Sequence, residues 1–185
     1  SPGPKIGEAS IIRLPTNQPQ LLDASLDSIS PAMVGMYTSI GEGMLTAFFA
    51  LTDQELQEHS IKRYRIRESL EKENFDYIRE AVGAVGRMSN RMVVLFTDGK
   101  NNCGIEPAKV FPLYRAFGIK VHFVELASTS VTGLNLEEER ISQEKIILGT
   151  RSTGGEYFFA EKAEDVEEKY DLIDRLERSR ITVVE

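Results

Sequence analysis

Cysteine is almost missing from this chain: Cys103 stands alone among 185 residues. A single thiol excludes an internal disulfide, and it excludes any zinc site built on paired cysteines. Histidine is nearly as scarce, with only His59 and His122, which leaves little for histidine chemistry. His122 falls in an alternating apolar run and reads as a strand residue rather than a ligand. Basic residues are in deficit, 22 Lys and Arg against 29 Asp and Glu, for a formal charge of -7. Nucleic acid and anionic membrane surfaces both require a basic field, so neither is an expected partner. Cations and basic protein patches are compatible with that charge. No stretch is apolar enough to span a bilayer, and no signal peptide is visible. The chain opens Ser1-Pro2-Gly3-Pro4 and stops at Ile181-Thr-Val-Val-Glu185, as an excised soluble piece would. Finally, no P-loop, dinucleotide fingerprint, nucleophile elbow or activated Ser, His or Cys set occurs. Gly41-x-Gly43 follows no strand and lacks a third glycine. An enzyme is not expected.

What is present points to one domain, because this length supports a single proper core and two independent units are not expected. Arg91-Met-Val-Val-Leu-Phe-Thr97-Asp98-Gly99-Lys-Asn-Asn102 is the organising stretch. Its five apolar residues, Met92 to Phe96, end at once in Thr-Asp-Gly. A continuous apolar run bounded by turn residues suits a strand buried on both faces of a parallel sheet. Thr97 and Asp98 then sit at the carboxyl end of the strand, where open α/β sheets place their ligand sites.

The flanking elements follow from periodicity. Residues 8–14 read as a short strand stopped by Pro15. A helix opens near Pro19, carries Leu22, Leu26 and Ile29 at i, i+4, i+7, and ends at Ser30-Pro31. Thr38-Ser-Ile-Gly-Glu-Gly43 reads as a glycine-rich turn before a buried helix from Met44 to Leu51. Residues 53–90 are highly charged, with Ile66, Leu70, Ile78, Ala81 and Val85 on one helical stripe; two helices with a break are expected there. This reads as a solvated helical insertion, or functionally as a partner-specific arm.

After the Thr-Asp-Gly strand, Pro107 is an N1 proline for a helix to Ala116. Pro112 should kink it or break it early, and Gly118 closes it. Ile119 to Leu126 alternate as a strand. A helix from Glu137 to Thr150 follows, then a short strand from Glu156 to Ala160. The last helix carries Val166, Tyr170, Ile173 and Leu176 on its buried face. Strands alternating with helices predict a doubly wound, Rossmann-like α/β fold with a mostly parallel sheet flanked by helices.

Two residues carry the candidate chemistry. Asp98 is a hard anionic oxygen at a strand end, and Thr38 offers a neutral hydroxyl on a turn that opens a helix. A carboxylate with a hydroxyl suits magnesium, manganese or calcium rather than zinc. The plainer alternative is a strand-ending turn at Asp98 and an N-cap at Thr38, and on those residues alone it is preferred.

Thr38-Ser-Ile-Gly-Glu-Gly43, Val94-Leu-Phe-Thr-Asp-Gly-Lys-Asn-Asn102 and Gly118-Ile-Lys-Val-His-Phe-Val124 occur in the order and setting found in von Willebrand factor type A domains, which this chain resembles. Gly154-Gly-Glu-Tyr-Phe158 and Tyr170-Asp-Leu-Ile-Asp-Arg-Leu-Glu177 are similar to the bacterial Bat-type aerotolerance-operon (BatA-like) proteins, which are membrane-anchored. The resemblance covers nearly all of the chain outside 53–90. It implies a metal-ion-dependent adhesion site in which Thr38 and Asp98 are metal ligands. It also implies a non-enzymatic protein-interaction role, with a partner supplying an acidic ligand, and an extracytoplasmic, membrane-associated setting.

The family's opening Asp-x-Ser-x-Ser strand has no match. Asp23-Ala-Ser-Leu-Asp27 ends in Asp rather than Ser, has helical periodicity, and lies too near Thr38. The domain therefore reads as truncated at its N-terminus, without its first two strands. Two expectations follow. A hard divalent cation wants about six oxygens, so the metal is expected to bind weakly or not at all. The Thr-Asp-Gly strand loses a neighbour, so its open edge is expected to be covered by a partner chain, a swapped element or a rearranged segment. The competing readings are a metal-free degenerate scaffold of the same type and, less favoured, a magnesium-dependent α/β hydrolase or phosphotransferase.

Overall fold

The computed structural model describes residues 38–97, 101–127, 136–162 and 164–179. The expected strand at 8–14, the expected helix at 19–29, and Asp98 with Gly99 lie outside the described residues. Three helices come first: α1 (Ile40–Glu58), α2 (Arg63–Glu71) and α3 (Asp76–Val85). The remaining elements alternate: β1 (Met92–Thr97), α4 (Pro107–Phe117), β2 (Lys120–Leu126), α5 (Leu136–Ser152), β3 (Tyr157–Ala160) and α6 (Glu164–Ser179). The strands form an open parallel sheet in the order β1-β2-β3, with helices packed on it. This is an α/β fold.

Strand register sorts the side chains between two layers. Val93 pairs with Val121 and Leu95 with Phe123 across β1 and β2, while Phe123 pairs with Tyr157 across β2 and β3. These odd-numbered residues face the main core, together with Met44, Phe48, Val110, Phe111 and Phe117 from α1 and α4. The even-numbered residues point the other way, as a pleated strand requires. There Val94, Val124, Phe158 and Ala160 pack with Val166 and Ile173 of α6.

The charged stretch between α1 and β1 belongs to the main core. Ile66, Leu70, Ile78 and Ala81 are buried on the expected stripe, and the break between α2 and α3 falls at Lys72–Phe75. The charges go outward into pairs along the helices, such as Lys72 with Glu68 at 2.6 Å. Such exposed pairs contribute little to stability, because water and salt screen them; the apolar stripe is what fixes the helices.

Four expectations are corrected. The Thr38–Gly43 stretch is not a turn: α1 starts at Ile40 and runs through Gly41 and Gly43, because its buried face begins with Ile40 and continues at Met44, Leu45 and Phe48. Pro112 does not break α4, which continues to Phe117. Proline deletes one helical donor, and the burial of Phe111, Leu113, Tyr114 and Phe117 around it holds the helix through the gap. The helix closes as expected on Gly118 in the left-handed conformation, φ 74°, with Ile119 N–H reaching back to Tyr114 O at 3.0 Å. Tyr170 is not on the buried face of α6 but 57% exposed, whereas Ile173 is buried.

The fourth correction concerns β1, which is not buried on both faces. Met92 and Phe96 are 42% and 44% exposed. Among the described residues β1 is an edge strand paired only with β2, and α6 lies over β2 and β3.

One partly buried ionic contact anchors α6 to the sheet. Glu177 pairs with Lys120 and lies 3.3 Å from Nε2 of the fully buried His122. His122 Nδ1 accepts the Glu156 N–H at 3.2 Å, which leaves Nε2 to carry the proton facing Glu177. Burial pushes the Glu177 carboxyl up, but Lys120 and His122 outweigh it, so the group titrates below its ordinary 4.5. A carboxyl lowered in the folded state stabilises fully above its unfolded value and loses that contribution as pH falls through the folded one. Between pH 7 and 3, the melting temperature of the Glu177→Gln variant is therefore expected to fall less steeply below pH 4.5 than that of the parent chain. Parallel acid limbs would remove Glu177 from that role.

Candidate functional site at the carboxyl edge of the sheet

Thr38 lies immediately before α1, and two hydrogen bonds tie its backbone to the loop that leaves β1. Thr38 N–H donates to Asn102 Oδ1 at 2.9 Å, and Asn102 N–H donates to Thr38 O at 2.9 Å. Asn101 Oδ1 accepts the Gly41 N–H at 3.2 Å, and Ser39 Oγ donates to Cys103 O at 3.2 Å. The first N–H groups of a helix have no partners within it. The N-cap position falls at Ser39 rather than at the expected Thr38, and Ser39 makes no side-chain capping bond; Asn101, from a loop 60 positions away, takes the N–H of Gly41. The Thr38 stretch and the β1–α4 loop are thereby brought together. Asp98 lies outside the described residues, so its oxygens have no stated position.

Glu42 fixes the next part of this loop. Its carboxylate accepts the Ile105 N–H at 3.3 Å and takes two hydrogen bonds from Arg67, at 2.7 and 2.8 Å. Glu42 is buried. The Glu42 carboxylate raises the Arg67 guanidinium further above its already high value, against the opposing effect of burial. A two-pronged Arg–carboxylate contact fixes geometry as well as charge. It ties α2, α1 and the loop into one unit.

Further along the same edge, Thr97 lies opposite Glu125 in the sheet. Tyr157 Oη donates to Glu125 Oε2 at 2.5 Å and accepts from Gln143 Nε2 at 2.9 Å. Burial, and then the adjoining Glu125, push the Tyr157 phenol well above its usual value, so it remains a neutral donor at any physiological pH. Between α4 and α5 the edge opens into a cleft of about 290 Å³, bordered by Asn101, Glu106, Ala108, Ile141, Ser142 and Lys145.

The donor set defines what this edge can hold. Among the described residues, no group of three or more His, Cys, Asp or Glu is placed to hold a metal ion. Glu42 serves Arg67 and Ile105, and the Asn101 and Asn102 side-chain oxygens serve backbone N–H groups. These side-chain oxygens therefore already take part in the clamp between α1, α2 and the loop. Sequence reasoning assigned no role to Glu42, Arg67 or Asn101. The Asn-Asn pair after a strand-ending Asp-Gly-Lys is the one local signal that could have marked this loop; Arg67, distant in sequence and exposed on one side, offered none.

No protein-family model matches the chain, and no curated protein matches it. Among solved structures, it is similar to a crystal structure of an uncharacterized membrane spanning protein from Vibrio fischeri, at 22% identity and a TM-score of 0.38. That alignment covers 85% of this chain and 65% of the other, so the chain spans about two thirds of that protein's length. A likeness at this level carries no argument about function.

Proposed function

We propose that this chain is a non-enzymatic protein-interaction domain of the von Willebrand factor A type, its sheet belonging to a doubly wound fold and its contact face at the carboxyl edge. The observation that carries this reading is the clamp between Thr38 and Asn102. It joins the two stretches whose sequences resemble the family's adhesion site. In this reading Thr38 and Asp98 contribute to a magnesium, manganese or calcium site of low affinity, and an acidic group of a protein partner completes it. In this reading self-association runs along the edge of β1 that no described strand covers. A membrane-associated, Bat-like setting remains part of the proposal and rests on the sequence resemblance. Among the described residues, no helix is long and apolar enough to cross a membrane.

A second reading has its own support: the oxygens nearest Thr38 are committed to the backbone and to Arg67, which favours a metal-free scaffold of the same type. Thermal unfolding separates the two. Binding to the native state stabilises by RT ln(1 + [L]/Kd), about 1.4 kcal/mol at ten times Kd, or roughly 3–6 °C for a domain of this size. With 10 mM magnesium or manganese, the adhesion-site reading expects such a rise, and expects Thr38→Ala to abolish it. No rise in the parent chain supports the scaffold, and an equal rise in Thr38→Ala sinks the assignment of Thr38.

A further inference from the structure

Basic residues crowd into one short stretch of this acidic chain: Lys62, Arg63, Arg65 and Arg67 stand close together with no acid among them. Two of them are engaged within the protein, Arg63 by Asp53 and Arg67 by Glu42 and Glu71. Lys62 and Arg65 make no salt bridge among the described residues. Arg65 instead lies over the Tyr77 ring, 3.8 Å from its centre, and the Tyr77 hydroxyl accepts the Lys62 N–H at 2.9 Å. Stacking uses the face of a guanidinium and leaves the N–H groups on its rim for an acceptor.

The same residues border a groove of about 320 Å³ between α2 and α3. Arg65, Ser69 and Lys72 line it from one face of α2, at i, i+4, i+7. Ser69 is buried, 8% exposed, and its hydroxyl has no hydrogen-bond partner among the described residues. The start of α3 closes the end of the groove. There Asn74 Oδ1 accepts the Asp76 N–H at 3.1 Å, and the first helical bond runs from Arg79 N–H to Phe75 O at 2.9 Å. The Tyr77 and Ile78 N–H groups between them have no acceptor within the helix. Rim donors on Arg65, a buried hydroxyl and a helix start thus meet in one groove.

We propose that this groove docks an acidic peptide segment of a partner protein, one carboxylate held by Arg65 and Ser69 and a further one by Lys62. None of these three side chains belongs to the carboxyl-edge site. Three acids on the groove walls, Glu68, Asp76 and Glu80, set the class of anion. Glu68 is taken by Lys72 at 2.6 Å and Asp76 by Arg79; Glu80 has no ion pair among the described residues. A dianionic phosphate meets about twice the repulsion from such acids that a carboxylate does, so the carboxylate fits better. An anionic bilayer is opposed by the chain's charge of -7. A short segment meets mainly the local field, because salt screens charges beyond about 8 Å.

The test is fluorescence anisotropy of a labelled oligoglutamate peptide with the whole chain at low salt. Arg65→Gln is expected to weaken binding about tenfold and Ser69→Ala about threefold. Arg65→Lys, which keeps the charge and loses the fork, is expected to weaken it nearly as much as Arg65→Gln. Arg140→Gln removes an equal charge from α5 and is expected to bind as the parent chain does. No binding by the parent chain overturns the proposal, and so does equal weakening by Arg140→Gln and Arg65→Gln. Stronger competition by inorganic phosphate than by acetate overturns the choice of a carboxylate. Binding to phosphatidylserine vesicles without binding to the peptide overturns it in favour of a membrane surface. Amide chemical shifts of the unsubstituted chain give a reading that no variant can spoil. The peptide is expected to move Ser69, Tyr77 and Ile78 most, and shifts confined to other residues overturn the proposal.

Discussion

Phe48→Ala is expected to cost about 4 kcal/mol of folding stability. Phe48 is fully buried and makes edge-to-face contacts with Phe49, Tyr114 and Phe117, at ring-centroid separations of 5.7, 5.6 and 5.1 Å. It joins α1 to α4, and one turn earlier Met44 O accepts the Tyr114 hydroxyl at 2.6 Å. Truncating a buried Phe to Ala removes transfer free energy and leaves a cavity, together about 3–5 kcal/mol. The lost ring contacts favour the upper half of that range. Against a total stability of about 5–15 kcal/mol, such a loss lowers the melting temperature by roughly 8–16 °C. The chain has no tryptophan, so urea unfolding followed by far-UV circular dichroism is the suitable measurement. Phe49, only partly buried beside the same cluster, supplies the contrast, and its truncation is expected to cost about half as much. Equal losses would mean that Phe48 is not the hub of this core.

That core was legible in the sequence to the extent that it is periodic. The stripe Ile66, Leu70, Ile78, Ala81 and Val85 is what a 3.6-residue repeat reports; the first four are buried and Val85 is partly buried against them. Alternation from Ile119 to Leu126 likewise identified β2, and the proline and glycine bracketing α4 identified its ends. Periodicity says which face is apolar but not what lies against it. The run Met92–Phe96 therefore read as doubly buried, while the described sheet leaves Met92 and Phe96 exposed. The early break allowed for at Pro112 did not occur for a related reason, since a local rule about donors gave way to four buried neighbours along the same helix.

The candidate site was less legible than the fold. Thr38 could be singled out because hydroxyls and glycines at a helix start are a local signal. Its actual partner is Asn102, 64 residues away, with Ser39 and Gly41 beside it reaching Cys103 and Asn101, and no local pattern announces that closure. Glu42 shows the same limit. As one acidic residue in a first helical turn, it reads as a favourable dipole partner. In place, it is the buried receiver of Arg67 and Ile105.

Gly41→Ala is expected to destabilise the chain by about 1–2 kcal/mol, while Gly43→Ala, two positions along the same helix, is expected to stabilise it by about 0.5–1 kcal/mol. Both residues lie in α1, and helix propensity alone favours alanine at each. Their surroundings differ. A methyl on Gly41 would overlap the Ile105 carbonyl, which is backbone and cannot rotate aside, whereas one on Gly43 would meet nothing within 4 Å. Relieving the first overlap means separating α1 from the β1–α4 loop. That strains the Gly41–Asn101 bond and the Glu42–Ile105 bond together, and overpacking of this kind costs about 1–3 kcal/mol. The consequence for function follows from the same contact. Gly41→Ala displaces the loop that carries Asn101 and Asn102 away from Thr38, so any rise in melting temperature with magnesium or manganese should shrink in this variant and persist in Gly43→Ala. Paired unfolding curves, with and without the cation, measure both effects. Shifts of the same sign at the two glycines would show that α1 does not touch the loop as described, and the contact proposed to assemble the adhesion face would go with it.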